Sequence, residues 1–256
     1  MQTPNAKPSS RYFALSKSPR YSLTFALPLL IFYELMAAVI QGPTGGLRNG
    51  ADVILKALFA TVAGPRGPLI FTGLLIVTLL GLVMRDRRRN PGPLRVRLFL
   101  LMFAESSAMA TLFGGVVGII TARLVASLAL LHSMQPTPRG PLERMPLATA
   151  VTVSLGAGLY EELLFRVLLV GALMLVAKRI LGMGPIASRI VAVLGGALVF
   201  AAFHYIGPYG DTPAIGSFVF RTVAGLAFSG LYVTRGFGIT AWTHALYDVF
   251  FLLTRL

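Results

Sequence analysis

Long apolar blocks broken by short polar or basic stretches make up most of this chain. The blocks are continuous and do not alternate, which predicts helices and excludes a membrane β-barrel. A helix that spans a bilayer needs about 20 residues. The blocks that meet this length predict crossings near 21–40, 68–84, 98–131, 147–177, 190–206, 214–233 and 239–253. The third block is long for one crossing and is expected to tilt or to extend into water. Residues 51–64, ADVILKALFATVAG, predict an interfacial helix. The fold class is all-α: a multi-pass transmembrane helical bundle of about seven to eight spans. No internal repeat is visible. Gly114 and Gly118 have the GxxxG spacing of close helix packing, and Gly225 and Gly230 are read the same way.

Composition supports this class. Of the 256 residues, 55% are hydrophobic and 12% charged, about half the charged fraction of an ordinary soluble domain. The net charge of +14 reads as membrane topology and not nucleic-acid binding, because the cations cluster between apolar blocks. The clusters are Lys7, Arg11, Lys17 and Arg20; the stretch RDRRRNPGPLRVR; and Lys178, Arg179 and Arg189. Seven crossings put all three on one side, assigned to the cytoplasm together with the N-terminus. There is no cysteine, so disulfides, thiolate metal sites and thiol nucleophiles are excluded. The block after the basic N-terminus lacks a small-x-small cleavage signal and is read as a retained helix.

The chemistry lies in polar groups placed inside apolar segments. The chain has nine acidic residues, and two adjacent ones, Glu161 and Glu162, stand in GLYEELLFRVLL. A carboxylate at the bilayer centre costs a few kcal/mol, so such residues are functional candidates by default. Glu162 and Arg166 are four apart on a helix and are predicted to pair. Glu161 points about 100° away and lacks a partner in its own helix. Of the three histidines, His132 is read as interfacial, beside a loop with Pro136, Pro138, Pro141 and Pro146. His204 follows Phe200 in FAAFH, and His244 precedes Asp248 in HALYD at shared-face spacing. Two further acids, Glu34 and Glu105, are read as structural, with Arg123 and Arg221 as candidate partners.

These motifs resemble a known family. EELLFR fits Glu-Glu-x-x-x-Arg, FAAFH fits Phe-x-x-x-His, and HALYD fits His-x-x-x-Asn/Asp. In this order on successive membrane segments they are similar to the CAAX protease and bacteriocin-processing (CPBP, or Abi) intramembrane endopeptidases. The resemblance covers about 147–254; the first half of the chain shares only its hydrophobicity. It implies that Glu161 and His204 activate a water, that His244 stabilises the oxyanion, and that Glu162, Arg166 and Phe200 support them. The prenyl-protein branch has Asn where this chain has Asp248. An ionised Asp cannot donate to an oxyanion, so Asp248 is read as orienting His244 or as staying protonated.

The family is described both as glutamate-dependent and as metal-dependent. Glu161, His204, His244 and Asp248 would be the ligands of a zinc ion. No His-Glu-x-x-His occurs, and the metal-free mechanism is preferred. Serine and aspartyl intramembrane chemistry fit less well: Ser229 stands in AFSG, and Asp211 follows Gly210 with Pro208 in place of the required glycine. The expected organisation is a basic cytosolic tail at 1–20, N-terminal membrane helices at 21–140 and a catalytic helical core at 141–256.

The expected function is cleavage of a membrane-associated peptide or protein near its C-terminus, in a bacterial cytoplasmic membrane. The partners are the lipid bilayer and the substrate polypeptide, without nucleic acid. The alternatives are a non-catalytic scaffold or bacteriocin-immunity protein, and a proton-coupled transporter, which would be expected to show repeated halves. One tension remains in this map. His204 lies about 24 Å and His244 about 9 Å up parallel helices, so 207–238 is expected to be something other than one simple crossing.

Overall fold

The computed structural model describes residues 8–40, 47–128, 145–207 and 210–254, all helical or connecting, with no strand among them. His132 and the prolines at 136, 138 and 141 lie outside the described residues. Ten α-helices follow in order: α1 Pro8–Lys17, α2 Pro19–Val39, α3 Gly50–Ala63, α4 Gly67–Arg89, α5 Val96–Leu128, α6 Leu147–Gly156, α7 Val170–Arg179, α8 Pro185–Phe203, α9 Ile215–Arg235 and α10 Phe237–Leu253. A 3₁₀ turn, Gly64–Arg66, joins α3 to α4. A π-helical segment, Ala157–Leu169, joins α6 to α7 and makes 147–179 one continuous helical rod.

Among the described residues, five stretches are long and apolar enough to cross a membrane: Pro19–Val39, Gly50–Arg89, Val96–Ser127, Pro185–Phe203 and Ile215–Arg235. The protein is a multi-pass helical membrane protein. Its outer faces are apolar, with Ile31, Phe32 and Leu35 on α2, Leu112, Val116 and Ile119 on α5, and Ile190, Leu194 and Leu198 on α8 all exposed. Contiguous apolar surface of this extent suits lipid and not water. The stretch Gly50–Arg89 is folded back on itself. The rings of Phe59 and Phe71 lie 5.2 Å apart across the 3₁₀ turn. Helix α3 enters the core: Ala51, Asp52 and Leu55 are buried.

Helix α10 packs on α2, α5, α6, α9 and the π segment and so stands at the centre of the bundle. Small residues make that possible. A Cβ on Gly158 would lie 2.3 Å from the Ala241 carbonyl oxygen, and one on Gly238 would lie 2.2 Å from that of Ser22. Gly114 meets the Tyr247 ring and Gly225 meets Ala197, whereas Gly118 and Gly230 face open space. Replacing Gly158 with alanine therefore forces α10 and the π segment apart. The expected cost is about 1–3 kcal/mol, as for other overpacked interiors, measured as a lower unfolding temperature in detergent.

Helix α9 is one unbroken 21-residue helix, which corrects the expectation for 207–238. The short element is α10, at 17 residues, entered through Gly236 at φ 81°. Glycine tolerates that conformation at no steric cost. The basic ends gather. Arg20 reaches Asp86 at 3.7 Å and hydrogen bonds the Asn90 carbonyl, while Lys17 bonds the Val233 carbonyl. Helix α1 is docked by Tyr12, which donates to Glu105 at 2.5 Å, and by Ser16, which accepts from Arg235 at 3.0 Å.

The acids outside the motifs find partners other than those predicted. Glu105 pairs with Arg235 at 2.5 Å, Glu34 with Arg48 at 3.0 Å and Lys56 at 2.8 Å. Arg221 is taken by Asp211, and Arg123 is exposed. Such long-range pairings depend on which helices adjoin, and one sequence carries no register for that.

Candidate active site

The π segment places both motif glutamates inside the protein. Its wider turn is seen at its end, where the Val170 N–H bonds the Phe165 carbonyl five residues back. Short π segments inside α-helices are frequent at functional sites. Glu161 and Glu162 are 6% and 0% exposed, and each addresses a different histidine.

His204 is the C-cap residue of α8. Its Nδ1 lies 2.8 Å from the Phe200 carbonyl oxygen. A carbonyl only accepts, so Nδ1 carries the proton and donates, and Nε2 of the neutral ring is an acceptor. That Nε2 lies 3.9 Å from Glu161 Oε2. Glu161 Oε2 is buried and has no hydrogen-bond partner. Two acceptors thus face each other across a gap too wide for a direct hydrogen bond. Phe200 packs edge-on against His204, with ring centroids 4.8 Å apart.

The second half of the site is built on Glu162. Its Oε1 accepts from His244 Nδ1 at 2.7 Å. Its Oε2 lies 3.2 Å from Arg166 Nε, the pair anticipated from the i,i+4 spacing. The Arg166 guanidinium is buried and sits over the Phe200 ring at 4.3 Å and near the Phe228 ring at 5.5 Å. The Phe228 ring also stacks on His244, at 4.3 Å and 21°. On the far side of His244, Nε2 lies 3.7 Å from Asp248 Oδ2. His244 therefore stands between two carboxylates, one at each ring nitrogen.

The structure brings Glu161 to His204, and Glu162 to both His244 and Arg166. The other polar candidates lie apart. Ser229 bonds back to the Gly225 carbonyl at 2.8 Å, and Asp211 is held by Arg221. Trp242 donates to the Phe25 carbonyl at 2.7 Å, between Phe25 and Phe103. One residue close to the motif was not singled out from the sequence: Asn49 donates from Nδ2 to Glu161 Oε1 at 2.9 Å. Its visible signal was an Asn directly before the apolar run of α3, a helix-cap position.

A zinc ion needs three converging protein donors at a catalytic site. Glu161 faces His204, whereas the two nitrogens of His244 are turned to Glu162 and Asp248. Among the described residues no group of three or more His, Asp or Glu side chains is arranged to hold a metal. The donor set does not fit zinc in this arrangement.

Residues 143–250 match the family described as type II CAAX prenyl endopeptidase Rce1-like. Over this part the chain is similar to the CPBP/CAAX protease family of intramembrane endopeptidases. No curated protein and no solved structure gives a match to the chain.

Proposed function

We propose that the protein is an intramembrane endopeptidase in which Glu161 and His204 activate a water for attack on a peptide bond. The observation that carries this reading is the buried, unpartnered Oε2 of Glu161 facing the acceptor Nε2 of His204 at 3.9 Å. A water seated about 2.8 Å from each would donate one hydrogen to either acceptor. Its oxygen would then be free to attack.

The proposed steps balance as follows. Glu161 takes a proton from the water as the new C–O bond forms. The oxyanion is stabilised by a proton on His244 Nε2, whose ring is steadied through Nδ1 by Glu162 and flanked by Asp248. The C–N bond breaks as Glu161 returns its proton to the leaving amine. Preorganised donors aimed at developing charge supply much of the rate in such reactions. Asp248 accepts and cannot serve the oxyanion directly while ionised, so its role is to orient His244. The catalytic groups come from 141–256, the N-terminal membrane helices lie within 21–140, and 1–20, which carries α1, is the basic cytosolic end.

The substrate would be a membrane-associated peptide or protein cut near its C-terminus. The gathering of the basic ends supports an N-terminus in the cytoplasm, in a bacterial cytoplasmic membrane. A scaffold or immunity protein would use Glu162 and Arg166 equally well, but leaves Glu161 Oε2 without a purpose. The test is to compare peptide termini in host membranes with and without the wild-type gene. Termini that depend on the gene support a peptidase; identical sets at matched growth return the protein to a scaffold. Dialysis against a chelator is expected to leave the cleavage rate essentially unchanged. Loss of cleavage that zinc restores would reinstate the metal mechanism.

A further inference from the structure

Asn49 comes from the first half of the chain, outside the family match at 143–250, yet it touches the group that matters most. It is 3% exposed and is the N-cap of α3: its Oδ1 accepts from the Ala51 N–H at 2.9 Å. Capping requires only that oxygen, and Asp or Ser would provide one as well. With Oδ1 fixed on an N–H donor, the amide has one orientation, and its NH₂ is directed at Glu161 Oε1, 2.9 Å away. The cap thus explains an oxygen at this position, and the contact with Glu161 explains an amide.

The surroundings hold Asn49 in place. A Cβ on Gly156 would lie 2.7 Å from Asn49 Cβ and 2.4 Å from the Tyr33 ring, so the glycine one turn before the motif leaves the notch that Asn49 fills. The Asn49 N–H donates to the Tyr33 hydroxyl at 3.2 Å, and that hydroxyl donates to Asp52 at 2.7 Å. Asp52 is buried between Arg48 at 2.7 Å and Lys56 at 2.8 Å. Tyr160, the residue before Glu161, donates to Glu34 at 2.7 Å, and Glu34 is bound by the same two cations. One polar frame therefore anchors the start of α3 and the residue adjoining the glutamate.

We propose that Asn49 is a positioning residue for Glu161: its amide occupies Oε1 and so presents Oε2 to His204 and the water. The proposal rests on the reading of Glu161 as the base. It predicts that the N-terminal half completes the site. Two substitutions keep the helix cap and remove the donor. Asn49→Asp sets a carboxylate oxygen against Glu161, and Asn49→Ser is too short to reach it.

The experiment compares purified wild type, Asn49→Asp, Asn49→Ser and Glu161→Gln in detergent. The probe is a synthetic peptide spanning a cleavage site that depends on the wild-type gene. Both Asn49 variants are expected to lose about 10- to 100-fold in kcat, the range for one hydrogen bond to a charged group. KM should stay near the wild-type value in both, and the unfolding temperature near it in Asn49→Ser, whereas the buried carboxylate of Asn49→Asp is expected to lower the unfolding temperature. Wild-type kcat in both variants, with Glu161→Gln inactive, would overturn the role of Asn49. So would a fall in kcat that merely tracks loss of folded protein in both. Equal cleavage by wild type and Glu161→Gln would instead overturn the reading of Glu161 itself.

Discussion

Glu161→Gln is expected to lower the cleavage rate by about 10²- to 10⁴-fold, the usual worth of a general base, without loss of folded protein. Glutamine has nearly the same shape, and its carbonyl oxygen can still accept from Asn49 Nδ2, the contact now made at 2.9 Å. The amide nitrogen would then take the place of Oε2, which makes no hydrogen bond in the native protein. What disappears is the capacity to take a proton from water. Removing a buried charge also removes its desolvation cost, so the variant should accumulate at least as well as the wild type. Quantitative blotting of the membrane fraction checks the second half of this expectation and rate measurement the first.

The second large effect is on folding. Arg166 is 3% exposed and has the fully buried Glu162 as its carboxylate neighbour at 3.2 Å. Arg166→Leu leaves that carboxylate with only His244 as a partner, and breaking a buried pair from one side costs about 3–5 kcal/mol. The leucine also loses the guanidinium that now lies over Phe200 at 4.3 Å. The expected outcome is a sharp fall in accumulation and in unfolding temperature. Pairing Arg166→Leu with Glu162→Gln removes both charges, so the double variant should be more stable than the sum of the singles implies. Strict additivity would show that the two residues do not act as a pair.

These two residues also mark how far the sequence could be read. The helices were legible because lipid-facing segments must be long and apolar, and α2, α4, α5, α8 and α9 fall on the predicted blocks. The pair Glu162–Arg166 was legible because it is local, four residues apart on one helix. The partners of Glu34 and Glu105 were not, since Arg48, Lys56 and Arg235 reach them only through the packing of α2 on α3 and of α5 on α9. The depth conflict between His204 and His244 came from treating both helices as upright and regular. Helix α10 is short and central, and the π segment offers one glutamate to each histidine. The pattern of apolar residues contains no sign of that widened turn. Asn49 escaped because a lone Asn in a Gly-rich stretch looks like turn chemistry; its second hydrogen bond appears only once α3 is folded into the core.

The most direct test of the account is the set of peptide termini in host membranes carrying wild type or Glu161→Gln at matched abundance. Termini present with the wild type and missing with the variant are the expected result, and they would name the substrate at the same time. Identical termini in the two membranes, with both proteins folded and equally abundant, would contradict the assignment of Glu161 as the catalytic base.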